Sequence, residues 1–531
     1  MARAPSIRSP EASDWSAAIL LTAGLTLARL VALFRTPLEL YPDEAQYWLW
    51  SRTLDFGYYS KPPMVAWAIW ATTHLGDAEA LVRLSAPLFQ GGATLAVFAI
   101  ARKLYGGPAA LAAAALYALM PAVQLSGIVV ATDAPLLFFL GLSILAYVHL
   151  QPATGGRRLA LAAGFGAALG LAFLSKYAAV YAVIGLALHL ILSREARRAW
   201  SPAAAVLAAA VFAAFLAPNV VWNAHHGFAT LHHTAANADW GGGSMFNPRG
   251  LASFLATQFG VFGPIPFGVL IAGLVLAARR KAMAREDLLL LCFILPPLAI
   301  VSVQAILSRA NANWSGASYL PGAVLVAAWL TRWRARRWLT AAIAIQALLA
   351  AYVLLALVDP RVADATGGSN SLKRVRGWAA SARLVTERAR VEEDAGLSAV
   401  AVNNRFLYYA LAYYGRDYFG QPGAPPLTYW LRTGKPANQA ESNAPLNEKD
   451  GVRVLAVSYE GWLIDEMTGD FSRVLGREID SVWLDRKHKR KLVMFIGQGF
   501  RPAPRDPKTG IPLQRPPQTV LSTASRPQPT R

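Results

Sequence analysis

The chain has 531 residues, 55% of them hydrophobic and only 15% charged, where a soluble globular protein carries about 25% charged residues. That composition excludes an ordinary soluble domain. The formal net charge of +20 does not point to nucleic acid either, because the Lys and Arg residues gather in short clusters between apolar blocks and no basic helix with interleaved aromatics occurs. The chain has one cysteine, Cys292, inside an apolar block, which rules out a disulfide within the chain and a thiolate metal cluster and fits a small core residue.

The first fourteen residues are polar and read as a cytoplasmic N-terminus, 1–14. The long apolar run that follows has no small-residue cleavage site and reads as a retained first span. Blocks long enough to cross a bilayer then recur along the chain. The hydropathy pattern predicts about eleven spans, near 15–34, 81–101, 108–121, 133–150, 159–174, 177–193, 201–221, 251–277, 288–307, 316–331 and 338–358. The run PPMVAWAIWATTHL at 62–75 is apolar but too short to cross, and its tryptophans fit a helix lying in the interface.

Alternate loops carry the positive charge: Arg102 and Lys103; Arg157 and Arg158; Arg194, Arg197 and Arg198; Arg279, Arg280, Lys281 and Arg285; Arg332, Arg334, Arg336 and Arg337. Positive loops mark the cytoplasmic side. The loops 35–80, 122–132, 175–176, 222–250 and 308–315 are then expected to face outward, together with everything after the last span.

After residue 358 charges mix with shorter apolar runs. The pattern predicts a small α/β domain over 359–500, with strands at 398–404 and 452–459, amphipathic helices at 371–390 and 405–414, and a hairpin at 481–497. The stretch 501–531 is rich in Pro, Arg, Ser and Thr and is expected to be disordered.

The first outward loop, 35–80, is dense in charge and aromatics. Its sequence LELYPDEAQYWLWSRTLDFGYYSKPP holds Asp43, Glu44, Arg52, Asp55 and Lys61. The pair Asp43–Glu44 follows Pro42, so it suits the start of a helix, where acids are stabilised. It equally suits a general base at a membrane surface. Lys61 reads either as a snorkelling lysine or as a cation for a lipid phosphate. Asp133, at the mouth of a span in VVATDAPLLFF, reads as a helix cap or as a functional acid at membrane depth. Lys176, in the tight turn of LAFLSKYAAV, and Arg83, at the start of the second span, add cations on the same face, as does Arg309. Arg29 lies within the first span and is expected to snorkel or to pair with an acid. WNAHHGFATLHH holds His225, His226, His232 and His233. Their spacing fits a polar outer loop better than a metal site, since adjacent His residues do not share a helix face. GGG at 241–243 reads as a hinge. No P-loop or dinucleotide-binding fingerprint occurs, which leaves a soluble nucleotide donor unsupported.

Four spaced motifs, YPDEAQYWLWSRTLDFGYYSKPPMVAW, ATDAPLLFF, LSKYAAV and ANWSGASYLP, resemble in content and order those of bacterial family-39-type glycosyltransferases. These are relatives of the protein O-mannosyltransferases and of the aminoarabinose transferase of lipid A. The resemblance spans roughly 15–340. It implies a GT-C bundle over 15–358 in the bacterial inner membrane, with the active site and C-terminal domain periplasmic. It implies a polyprenyl-phosphate-linked sugar donor and inverting transfer to an outward-facing lipid A, glycan or protein acceptor. It also implies Asp43 and Glu44 as the catalytic acids, Lys61 and Lys176 near the carrier phosphate, and Asp133 as the acid at a span's outer end. Arg83 joins the phosphate cations from its position. It points to no definite cofactor, and a divalent metal is left open. The rival reading is a transporter or flippase for a lipid-linked sugar, which would show repeated halves and helices broken at mid-membrane.

Overall fold

The computed structural model describes residues 10–236, 246–280, 283–433, 436–506, 510, 512–513 and 519–520. The expected hinge 241–243 and most of the 501–531 tail lie outside these residues. The chain divides into two compact units, Met1–Thr36 with Leu54–Asp359, and Pro37–Thr53 with Pro360–Arg531.

The first unit is helical. Among the described residues, seven helices are long and apolar enough to cross a membrane: Ser13–Arg35, Glu79–Tyr105, Asp133–Leu150, Gly155–Ser175, Pro202–His225, Arg285–Leu307 and Arg336–Val358. Leu20, Leu27, Val206, Val221, Leu348 and Leu355 stand exposed on them. Such side chains are stable outside only against lipid tails, so this is a multi-pass membrane protein. Where two of the helices meet, small residues set the distance. A Cβ on Gly166 would lie 2.3 Å from the backbone oxygen of Ala208, so glycine there lets the Gly155–Ser175 and Pro202–His225 helices approach closely.

The eleven expected spans are not all long helices. The run expected to cross over 251–277 is two helices, Pro248–Val261 and Pro264–Arg279, bent by 119°. Pro264 disfavours helical backbone in the residue before it, and that residue, Gly263, takes φ +108, a conformation that costs glycine little. The amide of Gln346 donates to the carbonyl of Phe262 at 2.8 Å, so one group freed by the break is satisfied. Counting that pair as one span gives eight. The expected span 108–121 is the helix Gly107–Ala118, which stops before Pro121 and is followed by Pro121–Ser126. The other two are a 3-10 turn at Tyr177–Ala179 leading into Val180–Leu192, and Tyr319–Arg332. Tyr319–Arg332 has 14 residues, about 21 Å of helix at 1.5 Å per residue, short of the ~30 Å hydrocarbon core.

Arg29 neither snorkels nor meets the acid expected of it. It is 1% exposed, and its guanidinium donates to the carbonyl of Ala118 at 2.6 Å. That carbonyl ends the Gly107–Ala118 helix and so has no partner within it. Cys292 is buried as expected.

The second unit is built on a six-stranded sheet. Its strands are β1 (Ala399–Val402), β2 (Leu427–Tyr429), β3 (Arg453–Ser458), β4 (Phe471–Trp483), β5 (Lys489–Phe500) and β6 (Thr519–Val520), in the order β2-β1-β3-β5-β4-β6. β1 runs parallel to β2 and β3, β5 antiparallel to β3 and β4, and β6 parallel to β4. The predicted strands, the hairpin and the 405–414 helix are all present. The predicted helix 371–390 is broken at Gly377, which starts the helix Trp378–Glu393. β2 and β6 escaped the periodicity reading, because two or three residues carry too little pattern.

The start of the expected tail is held, not free. Asp470, with its side chain fully buried, accepts from one guanidinium nitrogen with both oxygens: Nη2 of Arg505 lies 2.7 Å from each of them. The indole of Trp430 and the backbone N–H of Ala503 also donate to it. Burial of an acid demands such partners. Arg505→Ala is expected to destabilise this unit by about 3–5 kcal/mol, because it leaves a buried charge uncompensated. Thermal unfolding of the full chain in detergent, followed by proteolytic release of the C-terminal region, would measure it. An unchanged midpoint would show the pair to be dispensable.

Candidate active site

The acidic pair and the lysines fall in different units. In the second unit Pro42 opens the helix Pro42–Ser51, with Asp43 and Glu44 in its first turn. The two carboxylates have different surroundings. Glu44 is 0% exposed, and its Oε2 accepts from the backbone N–H of Tyr41 at 2.8 Å, while the N–H of Glu44 donates to the carbonyl of Tyr41 at 2.8 Å. The Glu44 side chain thus caps the helix start by reaching back to the N-cap N–H, one half of a capping box. Asp43 keeps 38% of its side chain exposed, and its Oδ1 lies 2.9 Å from Nη1 of Arg405.

The same segment is fastened to the sheet domain along its length. The carboxylate of Glu39 accepts from the backbone N–H groups of Trp378 and Ala379. The N–H of Leu40 donates to the hydroxyl of Tyr414 at 2.6 Å, and Trp48 meets Tyr413 edge-on at 4.9 Å. Arg374 donates to the hydroxyl of Tyr41 at 2.7 Å, and that bond holds the Arg374 guanidinium proton more tightly than usual.

In the first unit a cavity of about 640 Å³ is lined by Lys61 and Ser60 of the first loop, by Lys176 and Tyr177, by Asn219 and Asn223, and by Gln304 and Trp314. The rest of its wall is mainly apolar, from Phe173, Tyr181, Leu216, Leu231 and Ile300 among others. Among the described residues, no carboxylate lines it. Lys176 sits where the Gly155–Ser175 helix stops, in extended backbone, and its ammonium lies 2.8 Å from Oδ1 of Asp133. Asp133 is the first residue of its own helix; the cap position falls on Thr132, with no side-chain cap bond, so the ion pair and not a cap is what engages the Asp133 carboxylate. The pair leaves protons on the ammonium for a further acceptor.

Lys61 is carried by a loop tied down at three places. The indole N–H of Trp222 donates to Asp55 at 2.6 Å, the amide of Asn219 to the carbonyl of Phe56 at 2.6 Å, and the hydroxyl of Thr230 to the carbonyl of Tyr58 at 2.7 Å. Burial pushes the Tyr58 hydroxyl up to about 12, with the nearby Asp55 carboxylate adding to it, so the phenol stays protonated. Asn219 and Asn223 are one helical turn apart and both bond the hydroxyl of Tyr177. The acceptor oxygen of the Asn223 side chain is buried with no partner.

Of Asp43, Glu44, Lys61, Lys176, Arg83 and Asp133, the structure sets Lys61 and Lys176 in the wall of one cavity, with Asp133 paired to Lys176 but not itself lining it. It puts Asp43 and Glu44 on one helix of the other unit. Arg83, 2% exposed at the end of the helix Glu79–Arg83, is not among the cavity-lining residues. Among the histidines, His226 stacks on Trp222 at 4.0 Å and His233 meets Tyr59 edge-on. Arg405, Asn219, Asn223 and Gln304 were not singled out. The asparagines left a signal, two amides four residues apart in an otherwise apolar helix, which places both on one face at membrane depth.

A membrane-embedded cavity that combines cations with a long apolar wall fits the head and tail of a lipid phosphate. Comparison with known proteins agrees in class. The family described as dolichyl-phosphate-mannose-protein mannosyltransferase matches residues 60–222. The lipid A galacturonosyltransferase RgtD of Rhizobium johnstonii is 35% identical over 419 residues, 78% of this chain and 86% of that protein. The chain belongs to this family of membrane glycosyltransferases, and is therefore an enzyme rather than the transporter that its spans alone also admitted. The crystal structure of ArnT from Cupriavidus metallidurans shares the fold, with a TM-score of 0.62 at 16% identity over 91% of this chain and 98% of that one. The same protein bound to undecaprenyl phosphate gives 0.60 at 17% identity, over 90% and 97%. The GT-C bundle with a small C-terminal sheet domain is thus the architecture of this chain.

Proposed function

We propose that the chain transfers a sugar from a polyprenyl-phosphate carrier to lipid A on the periplasmic face of the inner membrane, and that the sugar is galacturonic acid. The cavity carries this reading: Lys61 and the Asp133-paired Lys176 beside a mostly apolar wall suit a phosphate joined to an isoprenoid chain. The identity of the acceptor and sugar rests on the galacturonosyltransferase relative, and the orientation on the positively charged alternate loops.

The reaction needs little from the protein beyond a base and cations. Asp43 takes the proton of the acceptor hydroxyl. The hydroxyl oxygen attacks the anomeric carbon from the face opposite the phosphate, forming the new glycosidic bond with inversion. The bond from that carbon to the phosphate oxygen breaks, and the electron pair leaves with the polyprenyl phosphate. Lys61 and Lys176 stabilise the charge that develops on it, with Asp133 orienting Lys176. Glu44 shapes the helix that carries Asp43. The proposal for the phosphate rests on the two lysines and not on Arg83.

Purified protein given polyprenyl-phosphate galacturonic acid and lipid A is expected to yield lipid A heavier by one uronosyl residue, together with free polyprenyl phosphate, by mass spectrometry. Donor moved across a vesicle membrane without a new glycosidic bond would overturn the reading.

A further inference from the structure

We infer that Arg405, from the C-terminal sheet domain, is a positioning residue for Asp43. The inference rests on the reading of Asp43 as the base.

Arg405 opens the helix Arg405–Tyr414 directly after β1, and the side chain of Asn404 caps that helix by accepting from the N–H of Phe406 at 2.8 Å. A cation at a helix N-terminus opposes the helix dipole. Local preference therefore argues against arginine here, and a broken local rule is most often found at a functional position. Three contacts hold the side chain. Its Nη1 lies 2.9 Å from Oδ1 of Asp43, the same nitrogen donates to Oε1 of Gln46, and its guanidinium lies 4.9 Å from the centre of the Phe406 ring. Gln46 is one turn along the helix from Asp43, so both partners of Arg405 project from one helix face. The pair joins Nη1 to Oδ1, and the carboxylate stays partly exposed.

The bland alternative is that Arg405 only staples the first-loop segment to the sheet domain. That work is already done elsewhere, by Glu39 on the N–H groups of Trp378 and Ala379, by Leu40 on Tyr414 and by Trp48 on Tyr413. A half-exposed ion pair adds ~1 kcal/mol or less to folding, so stapling does not account for the arrangement. Holding a reacting group does, because a displacement of about 1 Å costs about 10²-fold in rate.

The test compares Arg405→Ala, Arg405→Gln, Arg405→Lys, Asp43→Asn and the double variant Arg405→Ala/Asp43→Asn in the transfer assay with full-length protein. Arg405→Ala and Arg405→Gln are expected to lower kcat by about 10²-fold with the donor KM unchanged, and Arg405→Lys to recover part of the loss. The double variant is expected to be no slower than Asp43→Asn alone, since a residue acting only through Asp43 has nothing left to position. Arg405→Gln keeps a stem and a hydrogen-bonding amide, and reads the same quantity if the alanine variant does not fold. Full kcat in either charge-removing variant, or losses that multiply in the double variant, would overturn the inference. Wild-type turnover by Asp43→Asn would instead overturn the assignment of the base.

Discussion

Asp43→Asn is expected to lower transfer by about 10²–10⁴-fold, the contribution of a positioned general base, while the protein still inserts and still binds the donor. The substitution keeps the shape and removes only the ability to take a proton. Its neighbour gives the control. Glu44 is buried and bonded to the N–H of Tyr41, so Glu44→Gln, which preserves an acceptor oxygen, is expected to cost much less in kcat than Asp43→Asn. Turnover by purified variants, with donor affinity measured separately, decides the matter. A Glu44→Gln loss as large as that of Asp43→Asn would move the base to Glu44.

Lys61→Met is the second large effect. Removing one preorganised donor from a developing oxyanion costs about 10²–10³-fold in kcat, and the departing lipid phosphate is such an anion. The methionine keeps an unbranched stem against the apolar wall of the cavity, so the loss reports the charge. Lys61→Arg is expected to retain part of the activity, less than its charge alone would give, because a planar fork does not replace a compact ammonium. The donor KM should rise together with the fall in kcat, since the ground-state phosphodiester already carries charge. Unchanged kinetics in Lys61→Met would remove the carrier phosphate from this end of the cavity. Lys176 offers a less clean test, because its removal also strips Asp133 of its ion-pair partner.

The strong periodic features were legible from residues alone. Long apolar runs gave the spans, since a bilayer tolerates nothing else over ~20 residues, and Asp133–Leu150 has the predicted limits. The hairpin and the helix 405–414 followed from alternation and amphipathic spacing. Breaks were harder. The 119° bend at Gly263–Pro264 lies within a run apolar on both sides, where hydropathy is blind to direction. The anchoring of Arg505 on Asp470 depends on a partner 35 residues away, in a stretch whose composition resembles a solvated tail.

The candidate site divides the same way. The sequence by itself determined a membrane protein with an acidic pair and Lys61 in its first loop and Lys176 in a tight turn, because charge placed beside apolar blocks is costly and therefore conspicuous, and the resemblance of four motifs implied a glycosyltransferase. It left Asp43 and Glu44 equivalent, since adjacent carboxylates have the same local sequence. Only the tertiary structure told them apart, by burying one in a helix cap and setting the other against a guanidinium contributed by a residue 362 positions further along. It also joined Asp133 to Lys176 across two helices. A pairwise contact of a few ångströms decides what a titratable group can do, and such contacts between distant residues exist only once the chain has folded.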